Sequence, residues 1–286
     1  MHKVSGKFDL LCIGHCCHDK VEHGLILGGT CSYASLVGQQ LGLQVGVITS
    51  VGSDFLFSKI FKDKDIPLKI IPADHTTLFE NIYHGNQRSQ YLRRRASTIA
   101  ADHTNVASDY SIVLIGGIAD EIDFSITTHF PRSLICATIQ GSIRKWDESG
   151  LISPKEMIWA DLSDVDIVIL SRDDLRGLDD ALSKIRKHVS HVVVTDGAQD
   201  VVIYKDGRTH IYPVYPVQEV EATGAGDVFA TAYIVRYHQT GDVSEACIFA
   251  HCAASLIIAG IGLISLPTAE KISERVLMYK ELFGVS

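Results

Sequence analysis

The sequence lacks the patterns that identify several common enzyme classes. It has no G-x-x-x-x-G-K-[ST] loop and no strand-coupled G-x-G-x-x-G, which weighs against P-loop enzymes and dinucleotide-binding enzymes. It has no G-x-S-x-G elbow, so the usual mark of an α/β-hydrolase is missing. Its 13 histidines are scattered without the spacing of a metal site. These absences direct attention to other chemistries.

Positive charge and paired cysteines are also scarce. Lys and Arg total 26 against 34 Asp and Glu, giving a formal net charge of −8. Proteins that bind nucleic acid usually carry a basic face, so this balance argues against such a partner. The seven cysteines include no C-x-x-C pair, and an odd number favours a reducing compartment over a disulfide framework. Residues 1–7 have no apolar core of a signal peptide, and we expect a cytoplasmic protein.

One apolar run is long enough to cross a bilayer. Residues 246–266 are nearly all apolar. However, His251 and Ser255 lie inside the run, Gly260 and Gly262 interrupt it, and no second run accompanies it. We therefore predict a buried helix followed by a turn and a short strand, and no membrane partner.

Strand-like and helix-like segments alternate along the chain. Strands are predicted at 8–14, 45–51, 111–116, 134–139, 166–170 and 191–195, a hairpin at 201–212, and helices at 32–41 and 173–188. Such alternation predicts an α/β fold with a mostly parallel central sheet and helices on both faces. At 286 residues, the chain 1–286 is predicted to form a single domain with a small appendage.

Two segments depart from the alternation. Residues 15–27 and 66–95 read as extended strands without intervening helices, and Gly85-Asn86 is a hairpin turn signal between 77–84 and 89–94. The three arginines at 93–95 allow two interpretations: a charged, solvated strand edge, or a side chain that reaches a substrate.

The most informative stretch is residues 221–227, EATGAGD. Apolar residues at 228, 232 and 235 predict a helix that begins near Gly226 and ends before Gly241. Small residues at a helix N-terminus let backbone N–H groups face an anion, and Asp227 would stand beside it. That position should lower the pKa of Asp227. The stretch indicates phosphoryl transfer to a hydroxyl, although an ordinary helix start with an acidic first turn fits too.

With Glu221 in place of an aspartate, this stretch resembles the D-T-x-G-A-G-D signature of the ribokinase-like, or PfkB, family of carbohydrate kinases. Further motifs resemble the family in order: residues 14–19, 28–29 with the helix that follows, 52–54, and 195–197. Residues 14–19 and 140–146 are most similar to the inositol-kinase-like branch. The resemblance runs from about residue 10 to about residue 268 and implies a ribokinase-like fold, with the two extended segments forming a small β-sheet lid that can also form a dimer contact.

The resemblance also implies roles for individual residues. Asp227 looks like the general base, and the backbone of Gly224, Ala225 and Gly226 like the anion hole. The positions that match substrate-binding residues are Asp19, Gly28, Gly29, Tyr33 and Arg144. Tyr33 stands where ribokinase has a sugar-binding asparagine, which implies an acceptor other than ribose.

The nucleotide and its metal are implied in the same way. The matching nucleotide-binding positions are Ser171, Asp174, Thr195, Gly197 and Thr223, with ATP and Mg²⁺ as cofactors. Ser171 and Asp174 stand in place of the family's N-x-x-E pair, which organises Mg²⁺ and phosphate through water. Serine and aspartate still supply oxygens for a hard cation, and Asp174 would hold Mg²⁺ through water. Glu221 in place of aspartate leaves activation by a monovalent cation open.

The resulting expectation is an ATP-dependent kinase of a small sugar or polyol, which the sequence does not identify further. Two alternatives stay open: a nucleoside kinase of the same fold, and a non-catalytic member that binds a sugar or nucleotide and regulates a partner. Intact Gly224, Gly226 and Asp227 argue against the second alternative, whereas the departures at Ser171, Asp174 and Glu221 favour it.

Overall fold

A large, mostly parallel sheet forms the centre of the protein. The structure, a computed structural model, describes residues 8–84, 87–105 and 109–285. Within these residues nine strands form the sheet, and their spatial order is β15 (Arg208–Tyr212), β14 (Gln199–Lys205), β13 (His191–Asp196), β12 (Ile167–Ser171), β9 (Leu134–Thr138), β8 (Tyr110–Gly116), β1 (Phe8–Ile13), β4 (Val45–Val51) and β5 (Leu68–Pro72). Two neighbouring pairs of this sheet, β13–β14 and β14–β15, are antiparallel, and β14 and β15 form a hairpin at one edge.

Helices cover both faces of this sheet. One face carries α1 (Thr30–Gln40), α2 (Ser58–Asp63), α4 (Ala225–Thr240), α5 (Val243–Ile258) and α6 (Ala269–Phe283). The other face carries α3 (Ala181–Ile185) and three short 3-10 helices at Ala101–Thr104, Phe124–His129 and Trp159–Leu162. The central strands are buried on both sides, as Leu10 and Leu11 illustrate by pointing into opposite cores. The predicted α/β fold, with a mostly parallel central sheet and helices on both faces, is confirmed.

A separate four-stranded sheet lies over one end of the large sheet. Its order is β3 (Gly24–Gly28), β2 (Cys17–Val21), β6 (Leu78–His84) and β7 (Gln87–Arg94), and we call it the lid. The segment 66–95 is divided between the two sheets, because Leu68–Pro72 pairs with β4 at the edge of the large sheet. The predicted turn residues Gly85 and Asn86 lie outside the described residues.

A short hairpin joins the lid to the rest of the chain. It consists of β10 (Arg144–Trp146) and β11 (Ile152–Pro154), and the backbone of Leu92 in β7 donates to the oxygen of Gly150 at 2.8 Å. This contact sets β10, with Arg144 at its start, beside the lid.

Two predicted elements differ from the structure. The helix expected over 173–188 is reduced to a 3-10 turn at Asp173–Leu175 and to α3. Gly177 and Asp180 have φ angles of 77° and 56°, and these left-handed conformations interrupt a right-handed helix. The short strand expected before residue 266 is instead a 3-10 helix, Gly262–Ser265. The apolar run 246–266 begins within α5, and across the described ranges we find no helix of sufficient length and apolarity to cross a membrane.

Candidate active site

A cleft of about 510 Å³ opens between the lid and the carboxyl ends of the central strands. This edge is where open α/β sheets bind ligands. The cleft is lined by Cys17, Asp19, Gly29, Thr30, Tyr33, Phe79, Asn81, Gln90, Ile118, Gln140, Arg144, residues 219–224, Gly226 and Asp227. The structure thus brings together, from distant parts of the chain, Asp227, both glycines beside it, and most of the predicted substrate-binding positions.

The start of α4 is shaped by Gly224. This residue precedes the helix with φ 80° and ψ −2°, a left-handed conformation that glycine adopts without strain. A Cβ atom at this position would stand 2.4 Å from the ring of Tyr33, so the aromatic ring packs directly on the glycine backbone. Tyr33, only 3% exposed in the first turns of α1, therefore forms a wall against the turn. The predicted helix start near Gly226 is confirmed to within one residue.

The backbone N–H groups at this helix start are not equivalent. The N–H of Ala225 donates to the oxygen of Ala222 at 3.1 Å, so this predicted anion-hole donor is part of the turn itself. The following N–H groups of the first helical turn have no intrahelical acceptor four residues earlier. A Cβ on Gly226 would meet no atom within 4 Å, which leaves its backbone open to the cleft. The helix start can therefore face an anion mainly through Gly226 and Asp227.

Asp227 has a raised rather than a lowered pKa. Burial is the largest cause, and the nearby charges of Asp19 and Asp174 add to it, whereas a hydrogen bond with Thr30 and the charge of Arg144 oppose it. The pKa of Asp227 is raised to about 6. The expectation of a lowered pKa was wrong, because desolvation and two like charges outweigh the helix N-terminus. A carboxylate with a pKa closer to neutrality is a better general base.

One side of the cleft is built around Asp19. This residue lies in β2 opposite Ile26, and Gly28 provides the room for its side chain, since a Cβ at Gly28 would stand 2.1 Å from Asp19 Oδ2. Gly29 follows with φ 94°, and a Cβ there would meet the backbone oxygen of His15 at 2.3 Å. The close approach of neighbouring atoms requires glycine at both positions. Gly29 lines the cleft, so the predicted contact of its backbone with a substrate applies to Gly29 and not to Gly28.

Asp174 is held in place by its neighbours. Its Oδ2 accepts from the hydroxyl and the backbone N–H of Ser171 at 2.7 and 2.9 Å, and its Oδ1 accepts from Gln140 Nε2 at 2.8 Å. Asp174 lines a second cavity of about 750 Å³, which shares Gln90 and Arg144 with the cleft. Both carboxylate oxygens are already engaged, which suits a contact to a metal through water better than direct coordination.

Thr195 and Gly197 lie further from the cleft. They stand at the end of β13 and in the turn that follows, where Gly197 has φ 56° and its missing side chain faces open space. The backbone of Arg172 donates to Thr195 O at 2.8 Å, and its guanidinium pairs with Asp196 at 3.0 Å. These residues form a rim beside Ser171 and are not among those that line the cleft, whereas Thr223 is.

Glu221 has a structural partner of its own. Its carboxylate accepts from the backbone N–H of Gly262 at 2.9 Å, and its backbone N–H donates to Ile258 O at 3.2 Å. The side chain therefore ties the segment before α4 to the start of the 3-10 helix that follows α5. This contact accounts for a glutamate at this position.

The three consecutive arginines have separate structural contacts. Arg93 pairs with Glu80 at 2.8 Å, Arg94 pairs with Asp54 at 3.1 Å, and Arg95 donates to the backbone oxygen of Ala119 at 2.7 Å. None of the three is among the residues that line the cleft. The structural interpretation of this run is therefore the one the contacts support.

Several cleft residues were missed at the sequence level. Thr30 bonds to Asp227, and Asn81 and Gln90 face each other across the β6–β7 pair. Strand alternation within a correctly registered hairpin would have placed Asn81 and Gln90 on one lid face. Nothing in the sequence marks Thr30.

Comparisons with known proteins agree with this geometry. Residues 146–269 match the pfkB family of carbohydrate kinases. The chain is 24% identical to the inositol 3-kinase of Arabidopsis thaliana over 306 aligned positions, covering 97% of this chain and 82% of that protein. It is 34% identical to the ribokinase of Bacillus subtilis over 82 positions, which cover 28% of each chain.

Solved structures share the fold. A pyrophosphate-dependent kinase of the ribokinase family, solved with a pyrophosphate analogue and myo-inositol, superposes with a TM-score of 0.76 at 19% identity, covering 93% of this chain and 99% of that one. The nucleoside kinase of Methanocaldococcus jannaschii gives a TM-score of 0.76 at 18% identity, covering 96% and 100%. At these identities the likeness establishes the fold.

The raised pKa of Asp227 predicts that activity and stability change with pH in opposite directions. Catalysis that needs the ionised carboxylate should rise as pH increases through about 6. Because the folded pKa lies above the unfolded value, stability is lost as pH rises from the ordinary value of 3.8 to about 6. Asp227→Asn should therefore be inactive yet melt at a higher temperature than wild type at pH 7.5. The assignment would be contradicted if the variant melted below wild type at pH 7.5 and if its melting temperature relative to wild type did not increase between pH 5 and pH 7.5.

Substitutions at the two glycines should separate anion binding from folding. Gly226→Val adds a side chain in open space, so the fold should survive while nucleotide affinity falls by at least about tenfold, because the side chain covers the N-terminal donors of α4. Gly224→Ala should instead lower stability, because it strains the left-handed turn and meets Tyr33. Calorimetric nucleotide titration and chemical denaturation measure both effects. Equal losses of stability in the two variants would argue against an anion site.

Proposed function

This chain belongs to the pfkB family of carbohydrate kinases, phosphotransferases that act on a hydroxyl, and from that premise we propose that it uses ATP to phosphorylate one hydroxyl of a small cyclic polyol of the inositol type. The observation that carries the proposal is the position of Asp227. It stands in the first turn of α4 and shares one cleft with Asp19 and Tyr33. A base, an anion-binding helix start and a polyol-binding wall therefore border the same space.

The proposed reaction is a direct transfer. The acceptor hydroxyl gives its proton to Asp227, its oxygen forms a bond to the γ-phosphorus, and the bond from that phosphorus to the leaving ADP oxygen breaks. Backbone N–H groups at the start of α4 hold the phosphoryl oxygens as their charge develops, and such donors contribute roughly 3–4 kcal/mol each in comparable sites. Arg144 borders the cleft from β10 and would neutralise the same charge through its guanidinium.

The nucleotide would lie along the rim from Thr223 toward Thr195 and Gly197. Mg²⁺, when bound, neutralises charge on the phosphates of ATP. The donor set fits a hydrated ion, because Asp174 keeps its two oxygens fixed by Ser171 and Gln140 next to Asp227. We propose that Asp174 orients the ion through water.

The acceptor class is supported by the chemistry of the wall. Asp19 accepts from hydroxyls, Asn81, Gln90 and Gln140 can each accept and donate, and Tyr33 offers a ring edge beside the turn. The inositol 3-kinase of Arabidopsis thaliana is similar over 97% of this chain. We further propose that residues 1–286 act as a single domain with a lid and that the protein is cytoplasmic. Two copies of the protein can pair through the lid.

Two other functions are kept for comparison. A nucleoside kinase of the same fold is supported by the likeness to the Methanocaldococcus jannaschii nucleoside kinase. A non-catalytic binding protein is favoured only by the replacements at Ser171, Asp174 and Glu221. The intact arrangement at Gly224 and Asp227 supports catalysis.

A donor and acceptor panel tests the proposed function. With ATP and Mg²⁺, myo-inositol or another cyclic polyol should exceed ribose in kcat/KM by at least about tenfold, because Tyr33 occupies the ribose-recognising position. Phosphate transfer is followed by ³¹P NMR and by ADP release. Inorganic pyrophosphate is a parallel donor, because a structural neighbour is described as pyrophosphate-dependent. Ribose as the best acceptor would overturn the acceptor assignment, and no transfer to any acceptor would overturn the kinase assignment.

Asp19 should act on the acceptor alone. Asp19→Ala is expected to raise the acceptor KM by about tenfold or more while the KM for ATP stays within about twofold, because a lost charge-assisted hydrogen bond costs about 1.5–3 kcal/mol. Asp9→Ala is the matched control, because it removes a carboxylate in β1 that accepts from the backbone N–H of Gln44 and does not line the cleft. Steady-state kinetics that show equal KM values in wild type and Asp19→Ala would remove Asp19 from the site.

A further inference from the structure

Three of the four chain crossings between the lid and the large sheet meet at one buried point. β2 begins two residues after His15, β6 begins directly after Thr77, and β7 ends directly before Arg95. His15 and Thr77 are fully buried. We call the group of His15, Thr77, Arg95 and Glu121 the lid junction, because every chain crossing between lid and sheet, other than that after β3, passes through it.

His15 joins the two sides of the lid. Its Nε2 lies 2.8 Å from the backbone oxygen of Ser97, and its Nδ1 lies 2.8 Å from Thr77 Oγ1. A carbonyl oxygen can only accept, so Nε2 carries the proton and Nδ1 accepts from the hydroxyl of Thr77. That hydroxyl oxygen in turn accepts from the N–H of Ala96 at 2.9 Å. The strand that leads into the lid and the strand that leaves it are thus joined through one neutral imidazole.

Glu121 fixes the loop that follows β8. Its carboxylate is completely buried and accepts from the backbone N–H groups of His15 at 3.0 Å, Ile118 at 3.0 Å and Ala119 at 2.6 Å. Burial alone would raise the pKa of Glu121, but these backbone donors hold that pKa below its ordinary value. Both oxygens act as acceptors, so a neutral amide could not replace the carboxylate without turning its NH₂ toward an N–H donor.

Arg95 holds the same loop from its other side. Its guanidinium donates to the backbone oxygens of Ala119 at 2.7 Å and Asp120 at 2.7 Å. The backbone N–H groups of this loop therefore donate to Glu121, and its carbonyl oxygens accept from Arg95, which follows the last strand of the lid. The loop places Ile118 in the wall of the cleft.

We propose that the lid junction sets the position of the lid over the cleft, which makes Thr77, His15 and Glu121 positioning residues for acceptor binding and for exclusion of water. The inference rests on the proposed kinase function. Buried hydrogen bonds are directional, so they fix one arrangement of two packed sheets where apolar contacts would allow several. The lid brings Asp19, Asn81 and Gln90 to the cleft, and the junction sets their distance from Asp227. A loosened lid would weaken acceptor binding and admit water to ATP.

Thr77→Val tests the proposal with little change of shape. Valine keeps the volume of threonine but removes the hydroxyl, so Ala96 and His15 lose their shared partner. Thr77→Ser keeps the hydroxyl and should restore wild-type behaviour. Thr127→Val is the matched control, since it removes a buried hydroxyl that bonds to Phe124 O on the far side of the large sheet.

The expected result for Thr77→Val is an acceptor KM raised by at least about tenfold, a several-fold larger ratio of ATP hydrolysis to transfer, and little change in the KM for ATP. Hydrogen exchange provides a readout that does not need turnover: amide protection should fall in β2, β6 and β7 and stay unchanged in β12 and β13. Thr127→Val should lower the melting temperature without either effect.

Two results would overturn the proposal. The first is wild-type lid protection and a wild-type hydrolysis ratio in folded Thr77→Val. The second is an equal change in Thr127→Val, which would show a general loss of stability. If Thr77→Val does not fold, Glu121→Gln takes its place with the same measurements and the same expected results. An inactive wild-type protein would contradict the proposed function, and hydrogen exchange would still decide the role of the junction.

Discussion

The contact between Tyr33 and the backbone of Gly224 is the constraint on which the cleft depends. The ring leaves no space for a Cβ atom at Gly224, and the left-handed turn there sets the direction in which α4 begins. That direction points the first turn of α4 at the cleft, which Asp227 lines together with Asp19. A helix that began one residue earlier or later would rotate the carboxylate by about 100° away from the acceptor. The position of the Asp227 carboxylate, the proposed base, is therefore set by a steric contact between two helices that lie far apart in the sequence.

The electrostatics of the cleft follow from that position. A helix N-terminus favours an ionised carboxylate, but burial and the nearby charges of Asp19 and Asp174 disfavour it more, and the pKa of Asp227 rises to about 6. Ionised Asp227 therefore lowers the free energy of unfolding at neutral pH. Functional sites concentrate perturbed groups of this kind. The same negative charges suit an uncharged polyol better than an anionic sugar.

The lid depends on a second set of buried polar groups, which the sequence does not reveal. His15 and Glu121 are 106 residues apart in sequence, and nothing in either surrounding segment indicates that one bonds to the backbone of the other. Local patterns gave the central strands to within a residue or two, the start of α4, and the β-sheet nature of the lid. They did not predict the breakdown of the 173–188 helix at Gly177 and Asp180, where backbone conformation overrides an amphipathic pattern.

For the site, sequence motifs predicted the residues that line the cleft near Asp227 and Asp19. They could not predict the pKa of Asp227, because desolvation is a property of the assembled fold. They also missed Thr30, Asn81 and Gln90, whose positions follow from tertiary packing and from strand register. Gly28 was assigned to the substrate, whereas in the structure it makes room for Asp19. Motifs therefore locate a site of this kind, and packing sets its chemistry.

The central claim is that the start of α4 holds a phosphoryl group in line with an acceptor hydroxyl. The most direct measurement is calorimetric binding of ADP, Mg²⁺ and aluminium fluoride, a mimic of the transferring phosphoryl group, with and without myo-inositol. The account predicts that the acceptor tightens binding of the mimic by at least about tenfold in wild type and that Gly226→Val loses this gain. Equal affinity with and without every acceptor tested, in wild type, would contradict it.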